Sequence, residues 1–253
     1  AFMDFYNDKD FDPSMDDNWI LRTSVKEGNL FITEKILKHH KFESYPKGYL
    51  VIGLSIYSEN INLIKYLLDT NLFDASWDNF AIETAFHLNN IEAIKILGKN
   101  KKVRQSLKSS KPELFNKLNE ESKPTWGIMT PQHMVEHLEY TYRIASGELQ
   151  DFEISTPEKY LEKVQESLYN YKPMPSGFDF PLYKKGTVEE LKHDSLQVAK
   201  LKFAEAREQY LNFFKENPDD LIKNAVFGYI EKYEWYLLER KHLNHHFKQF
   251  GLL

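Results

Sequence analysis

Apolar positions recur along this chain at three- and four-residue intervals, the period of a helix with one buried face, and seldom alternate as they would in a strand. Through the first hundred residues the pattern repeats at a spacing of 30 to 31 residues. Asn18 Trp19 Ile20 Leu21 Arg22 Thr23 Ser24 is followed by Gly28 Asn29 Leu30 and by Ile36 Leu37. Leu50 Val51 Ile52 Gly53 Leu54 Ser55 is followed by Glu59 Asn60 Ile61 and by Leu67 Leu68. Asn79 Phe80 Ala81 Ile82 Glu83 Thr84 Ala85 is followed by Asn89 Asn90 Ile91 and by Ile96 Leu97. Each unit predicts a short helix, a tight polar turn and a second amphipathic helix. Gly28, Asn29, Asn60 and Asn90 are expected at the turn, because Gly and Asn tolerate the left-handed backbone a helix end requires. One such unit cannot bury its apolar face alone, so neighbours must stack.

The rest of the chain has no repeat. Ser109 Ser110 Lys111 Pro112 interrupts the helical pattern and is the expected boundary. Pro112–Glu121 reads as a helix, broken by Ser122 Lys123 Pro124. Thr130 before Pro131 is a strong helix start, an N-cap residue followed by proline at the first helical position. That helix is expected to run to Ser146–Gly147. Residues 148–190 are the least regular part, with helical periodicity over Pro157–Tyr171 and a long loop from Lys172. A long amphipathic helix spans Asp194–Glu216, ended by Asn217 Pro218, and a last helix begins near Lys232.

The repeated segments, with openings written Asp12 Pro13 Ser14 … Asp17 Asn18 and Asp74 Ala75 Ser76 … Asp78 Asn79, resemble ankyrin repeats over roughly residues 11–100. The units are shorter than that family's and lack its threonine–proline–leucine–histidine opening. The resemblance implies stacked helix pairs that bind a protein partner; an array that merely packs against the next domain is the alternative.

Composition narrows the classes. A hydrophobic content of 42% with 15% aromatics supports packed cores, and 253 residues accommodate one large domain or two small ones. The net charge of −5 gives no general reason to expect nucleic acid or an acidic membrane as partner. Lys101, Lys102, Arg104 and Lys108 form a basic stretch without interleaved aromatics, which reads as a solvated cap or linker. With no cysteine, disulfides, thiolate metal sites and cysteine nucleophiles are excluded, and a reducing, cytoplasmic compartment fits. No apolar run is long enough to span a bilayer and no signal-peptide pattern is visible. The first residue is Ala1 rather than Met, as in a fragment or processed form.

Candidate chemistry concentrates near the C-terminus, where His242, His245 and His246 are three of nine histidines. On a helical wheel Tyr236, Leu243, Phe247 and Phe250 make an apolar stripe. His242 and His246, four apart, share the face along its edge, within reach of one metal ion. His245 is expected on the opposite, solvent side. The same spacing also suits two half-buried histidines bonded to neighbours. A catalytic site usually takes three protein ligands, so a third must come from elsewhere. On the Thr130 helix His137 borders the inward stripe made by Met134, Leu138, Thr141 and Ala145. His133 lies further toward the polar side, so the wheel narrowly favours His137. His39, His40 and His87 carry little weight as ligands, and His193, just before the long helix, is expected to be solvated rather than a ligand.

Trp126 Gly127 Ile128 Met129 Thr130 with Met134 Val135 Glu136 His137 Leu138, followed far downstream by Phe227 Gly228, Glu234 Trp235 and Lys241 His242 Leu243 Asn244 His245 His246 Phe247 Lys248 Gln249 Phe250 Gly251, resembles the DinB/YfiT-like superfamily. The similarity covers roughly residues 112–253. It implies a four-helix bundle holding a divalent metal, zinc or nickel, on three histidines, which by position are His137, His242 and His246. Members of that superfamily include thiol-dependent transferases, an isomerase and hydrolases.

The expectation is therefore an all-α chain: an ankyrin-like array over 1–110 and a DinB-like metal-binding bundle over 111–253. The function expected is a metal-dependent hydrolase or thiol-dependent transferase acting on a small molecule of unknown identity. Glu239 is expected to orient a ligand or act as general base, and Gln249 to bond substrate. Any thiol would be exogenous. A protein partner on the array is expected, nucleic acid and membrane are not. The alternative is a scaffold with an inert or structural metal site.

Overall fold

The computed structural model describes residues 2–107, 112–170, 172–178 and 180–253. The chain divides into two compact units, Ala1–Ser106 and Leu107–Leu253. The expected boundary at Ser109–Lys111 lies outside the described residues. Helix is the main regular structure of both units, and no helix among the described residues is long and apolar enough to cross a membrane.

The first unit comprises α1 (Phe2–Tyr6), α2 (Met15–Lys26), α3 (Leu30–Leu37), α4 (Gly48–Tyr57), α5 (Ile61–Asp69), α6 (Phe80–His87), α7 (Ile91–Lys99) and α8 (Lys101–Ser106). The helices come in pairs, α2 with α3, α4 with α5, α6 with α7, and successive pairs pack through α2–α4, α4–α6 and α5–α7. Their buried faces supply Leu21, Val25 and Ile36, then Ile52, Leu63 and Leu67, then Ile82, Ile94 and Leu97, which are wholly removed from solvent or nearly so. Gly53 lets α4 and α6 meet: a Cβ there would lie 2.2 Å from the Phe80 ring.

The turns inside the pairs correct one expectation. The left-handed residue is Gly28 (φ 70°), Glu59 (φ 56°) and Asn89 (φ 51°), one position earlier than Asn29, Asn60 and Asn90. Those three asparagines instead cap α3, α5 and α7. Asn29 Oδ1 accepts from Ile32 N–H, Asn60 from Leu63 N–H and Asn90 from Ala93 N–H, at 3.0, 3.2 and 3.0 Å. An N-cap needs a side-chain acceptor, whereas the preceding left-handed residue needs only a tolerable Cβ. Asn60 also donates from Nδ2 to the Gly28 carbonyl at 2.8 Å, linking one turn to the next.

The second unit opens with a 3-10 turn at Pro112–Lys117, where a helix through Glu121 was expected. It continues with α9 (Pro131–Ala145), α10 (Glu158–Glu166), a 3-10 turn at Ser167–Tyr169, α11 (Leu196–Glu216), β1 (Leu221–Asn224), β2 (Gly228–Glu231) and α12 (Lys232–Gln249). Helices α9 and α11 form its most extensive pairing, and α12 touches α9 and the Ser167–Tyr169 turn. Aromatics fill the joints: Tyr142 lies edge-on to Phe203 and Tyr210 at 5.3 and 5.4 Å between ring centroids.

The antiparallel hairpin β1–β2, paired Ile222 with Ile230, was not expected. Its strands are four residues each, and the outward positions are Leu221, Lys223, Tyr229 and Glu231. Apolar residues on both faces hide the two-residue period that announces a strand. The Asn224 side chain closes the turn by accepting from the Val226 and Phe227 N–H groups.

Candidate metal centre

Thr130 starts α9 as its pattern suggests, accepting from the His133 N–H at 3.3 Å, while His133 Nδ1 faces back onto Thr130 Oγ1 at 2.6 Å. His133 is thereby occupied at an exposed helix end. One turn on, His137 is buried on the inward face. In α12, His246 is buried and His242 half-buried, on a face shared with Trp235 and Glu239. The three rings meet at one point. His137 Nε2 is 2.9 Å from His242 Nε2, and His246 Nε2 is 3.0 Å from the same atom. Among the described residues this is the one cluster of three or more histidines or carboxylates whose donor atoms all lie within 4.8 Å of one another.

The protonation pattern suits a cation. Burial, reinforced by the neighbouring rings, holds His137 and His242 well below the usual imidazole range, and burial pushes His246 down to about 4. All three are neutral near pH 7. Gln249 fixes the tautomer of one of them. Its Nε2 donates to the Trp126 carbonyl at 2.8 Å, so its Oε1 is the end facing His246 Nδ1, also at 2.8 Å. Nδ1 must then carry the proton, and Nε2 presents a lone pair to the convergence point. Three neutral imidazoles facing one another share too few protons to bond every pair, and a cation at the centre satisfies all of them. Tetrahedral coordination at about 2.0–2.1 Å separates ligand nitrogens by about 3.4 Å, against 2.9 and 3.0 Å for the two pairs that involve His242, with all three atoms within 4.8 Å of one another. The donor set fits a divalent ion of the zinc or nickel class.

The two sequence motifs meet through backbone as well. Thr125 N–H donates to the Gln249 carbonyl at 2.7 Å, and Gly127 (φ 80°) passes so close that a Cβ would lie 2.9 Å from Gln249 Nε2. Gln249, expected to bond substrate, commits both ends of its amide inside the protein and acts as a positioning residue for His246. His245, expected to face solvent, is half-buried between Trp126 and His246, with ring centroids 5.6 and 5.1 Å away. A helical wheel sees only the helix; here the segment at Trp126 covers that side.

A cavity of about 470 Å³ opens over the histidines. Glu239 is buried in its wall, as are Leu138 and Trp235. Its cover is the irregular stretch after α10, which brings Phe180 and Tyr183 edge-on to His137 at 5.1 and 5.6 Å. The Tyr183 hydroxyl lies 3.4 Å from His137 Nδ1, and burial raises its pKa, keeping the phenol protonated. Sequence reasoning missed Tyr183, which sits 46 residues from its partner with no periodicity to announce it.

The cover is fastened at both ends by residues adjacent to candidate ligands. Lys241 donates from Nζ to the Asn170 carbonyl at 2.5 Å and to the Lys172 carbonyl at 2.8 Å. Burial, with a smaller contribution from Arg240, lowers its pKa to about 8. At the far end Glu136 accepts the N–H groups of Lys192 and His193 at 2.8 and 3.2 Å. His193, expected to be solvated, bonds Glu139 at 2.6 Å, and Arg143 holds the other carboxylate oxygen at 2.9 Å. His39 is a buried ring between Tyr6 and Phe11, and burial lowers its pKa.

Comparison of the chain with protein-family models, curated proteins and solved structures returns no match in any of the three.

Proposed function

We infer that the second unit is a metal-dependent enzyme acting on a small organic molecule, a hydrolase or a transferase using an exogenous thiol, with the fold of a DinB-like four-helix bundle. The observation that carries this reading is the convergence of three Nε2 atoms at the floor of a cavity large enough for a substrate. His137, His242 and His246 hold the ion. When bound, a zinc- or nickel-class ion supplies Lewis acidity, lowering the pKa of a water or thiol in an open position.

The chain's own groups do the rest. Gln249 keeps the His246 proton on Nδ1 and its lone pair toward the site. Tyr183 stands against Nδ1 of His137. Glu239, one turn before His242 in the cavity wall, accepts the proton released in the reaction. The cover formed by residues 172–178 and 180–188 keeps bulk water away from the reacting atoms. His242, only half-buried at the cavity face, favours an open site over a closed structural one.

The first unit is an ankyrin-like array of three helix pairs whose role is to dock a protein partner. The stacked pairs and the asparagine-capped turns in one register support that assignment.

Elemental analysis of the purified protein tests the enzyme reading. About one zinc or nickel per chain is expected in the wild type, with loss in His137→Ala, His242→Ala and His246→Ala. A wild type that takes up no divalent metal on dialysis against zinc or nickel would refute it.

A further inference from the structure

We propose that the cavity over the three histidines takes an organic molecule with an uncharged, largely apolar body, whose single polar end meets the histidine point while that body lies against Leu138, Val164, Leu168, Met174, Phe180 and Val226. This deepens the enzyme reading above and rests on it for which end reacts. The argument is a census of the polar groups in the wall. Lys241, the cationic side chain nearest the histidines in sequence, is held by the Asn170 carbonyl, the Asn170 side chain and the Lys172 carbonyl. Asn224 is turned onto the N–H groups of its own hairpin. Thr141 donates to the Leu138 carbonyl at 2.8 Å, Ser167 to the Val164 carbonyl at 2.6 Å, and Gln249 to that of Trp126.

Apart from Glu239 beside the histidines, these polar residues border the cavity with their hydrogen-bonding capacity directed into the protein. A carboxylate or phosphate ester held away from the histidine point, or anywhere in the metal-free cavity, would lose its hydration and gain no cation in exchange. Lys172 and Lys184, the other lysines of the lining, are exposed on the cover. The volume of about 470 Å³ falls within the range of small-molecule sites, which bury ligands against apolar walls with a few polar contacts. The polar contacts here are gathered at one end, with the Tyr183 hydroxyl beside the histidines. A molecule with one polar end fits that asymmetry; one with charges at both ends does not.

The test uses two fluorescent naphthalenes of matched shape, the neutral ketone 6-propionyl-2-(dimethylamino)naphthalene and the anion 6-(dimethylamino)-2-naphthoate, titrated at pH 7.5 into the metal-free full chain. The ketone is expected to bind one per chain with blue-shifted emission, at least about tenfold more tightly than the carboxylate. Val226→Arg and, separately, Val164→Trp are expected to weaken the ketone at least about tenfold while the helical circular dichroism is retained. Equal or tighter binding of the carboxylate, no ketone binding by the wild type, or unchanged ketone binding in both folded wall variants would overturn the proposal. The titration is repeated on His242→Ala, where ketone binding is expected to persist. Ketone binding without metal uptake would sink the enzyme reading alone, and metal uptake without ketone binding would sink this proposal alone.

Discussion

The two units use polar residues in opposite ways. In the first, Asn29, Asn60 and Asn90 recur in register, and each caps the helix that follows its turn. In the second, polar residues from distant positions are drawn inward to one place: His137 from α9, His242 and His246 from α12, with Gln249 and Tyr183 behind them. Repeated capping stabilises a fold in small increments and can be altered one turn at a time. Buried convergence has no local justification, since each imidazole and amide costs desolvation unless its partners are present. That cost is what separates the second arrangement, a candidate site, from the repeated caps of the first.

The contrast can be broken most forcefully at the histidines. Structural zinc binding is worth about 10–16 kcal/mol, so deleting one of three imidazoles should cost roughly 3 kcal/mol or more, a few hundredfold in affinity. His242→Ala is expected to lose metal in competitive chelator titrations, while Asn60→Ala keeps wild-type affinity. Equal losses in both would erase the distinction drawn between the units.

Gln249→Ala should lower metal affinity by about 10- to 100-fold, because removing the group that fixes the His246 proton frees the ring to present the wrong tautomer. Gln249→Glu, which still accepts from Nδ1, should recover part of that loss. Identical affinities in the wild type and Gln249→Ala would show that the amide serves packing alone.

Acid sharpens the comparison in the metal-free protein. The three histidines have folded-state pKa values below the ordinary 6.5, so the unfolded chain binds more protons than the folded one once the pH falls beneath that value. Stability is therefore fully present above about pH 6.5 and is lost on acidification toward about 4, where His246 itself titrates in the folded state. Urea unfolding of the metal-free chain between pH 7.5 and 5 should show this loss in the second unit. Replacing His246 by Ala should flatten the profile.

The smallest effect belongs to the array. Asn60→Ala removes an N-cap and the bond to the Gly28 carbonyl, and should destabilise the first unit by about 1–2 kcal/mol in denaturant unfolding without moving metal content.

How much of this was legible in the sequence follows the same divide. Local signals were readable: the Thr130–Pro131 helix start, the stop at Asn217 Pro218, the register of the repeats, and the shared face of His242 and His246, each set by residues within a turn or two. His137 over His133 was already favoured by the wheel, and in the structure Thr130 occupies His133. Contacts across the fold were not readable. Tyr183 on His137, Glu136 on the Lys192 amide and Trp126 over His245 join segments that no period relates. Gln249 was noticed for the right neighbourhood and the wrong partner, because its second bond goes to a carbonyl 123 residues away. The hairpin at Leu221–Glu231 escaped because each of its faces mixes apolar residues with polar or small ones, which blurs the two-residue period.

The central claim is that His137, His242 and His246 together hold one divalent ion with a position left open. X-ray absorption at the metal edge of zinc- or nickel-loaded protein addresses it directly. Three imidazole nitrogens plus one or more solvent oxygens, with one nitrogen fewer in His137→Ala, is the result expected. A shell of four protein donors, or an unchanged shell in His137→Ala, would contradict it.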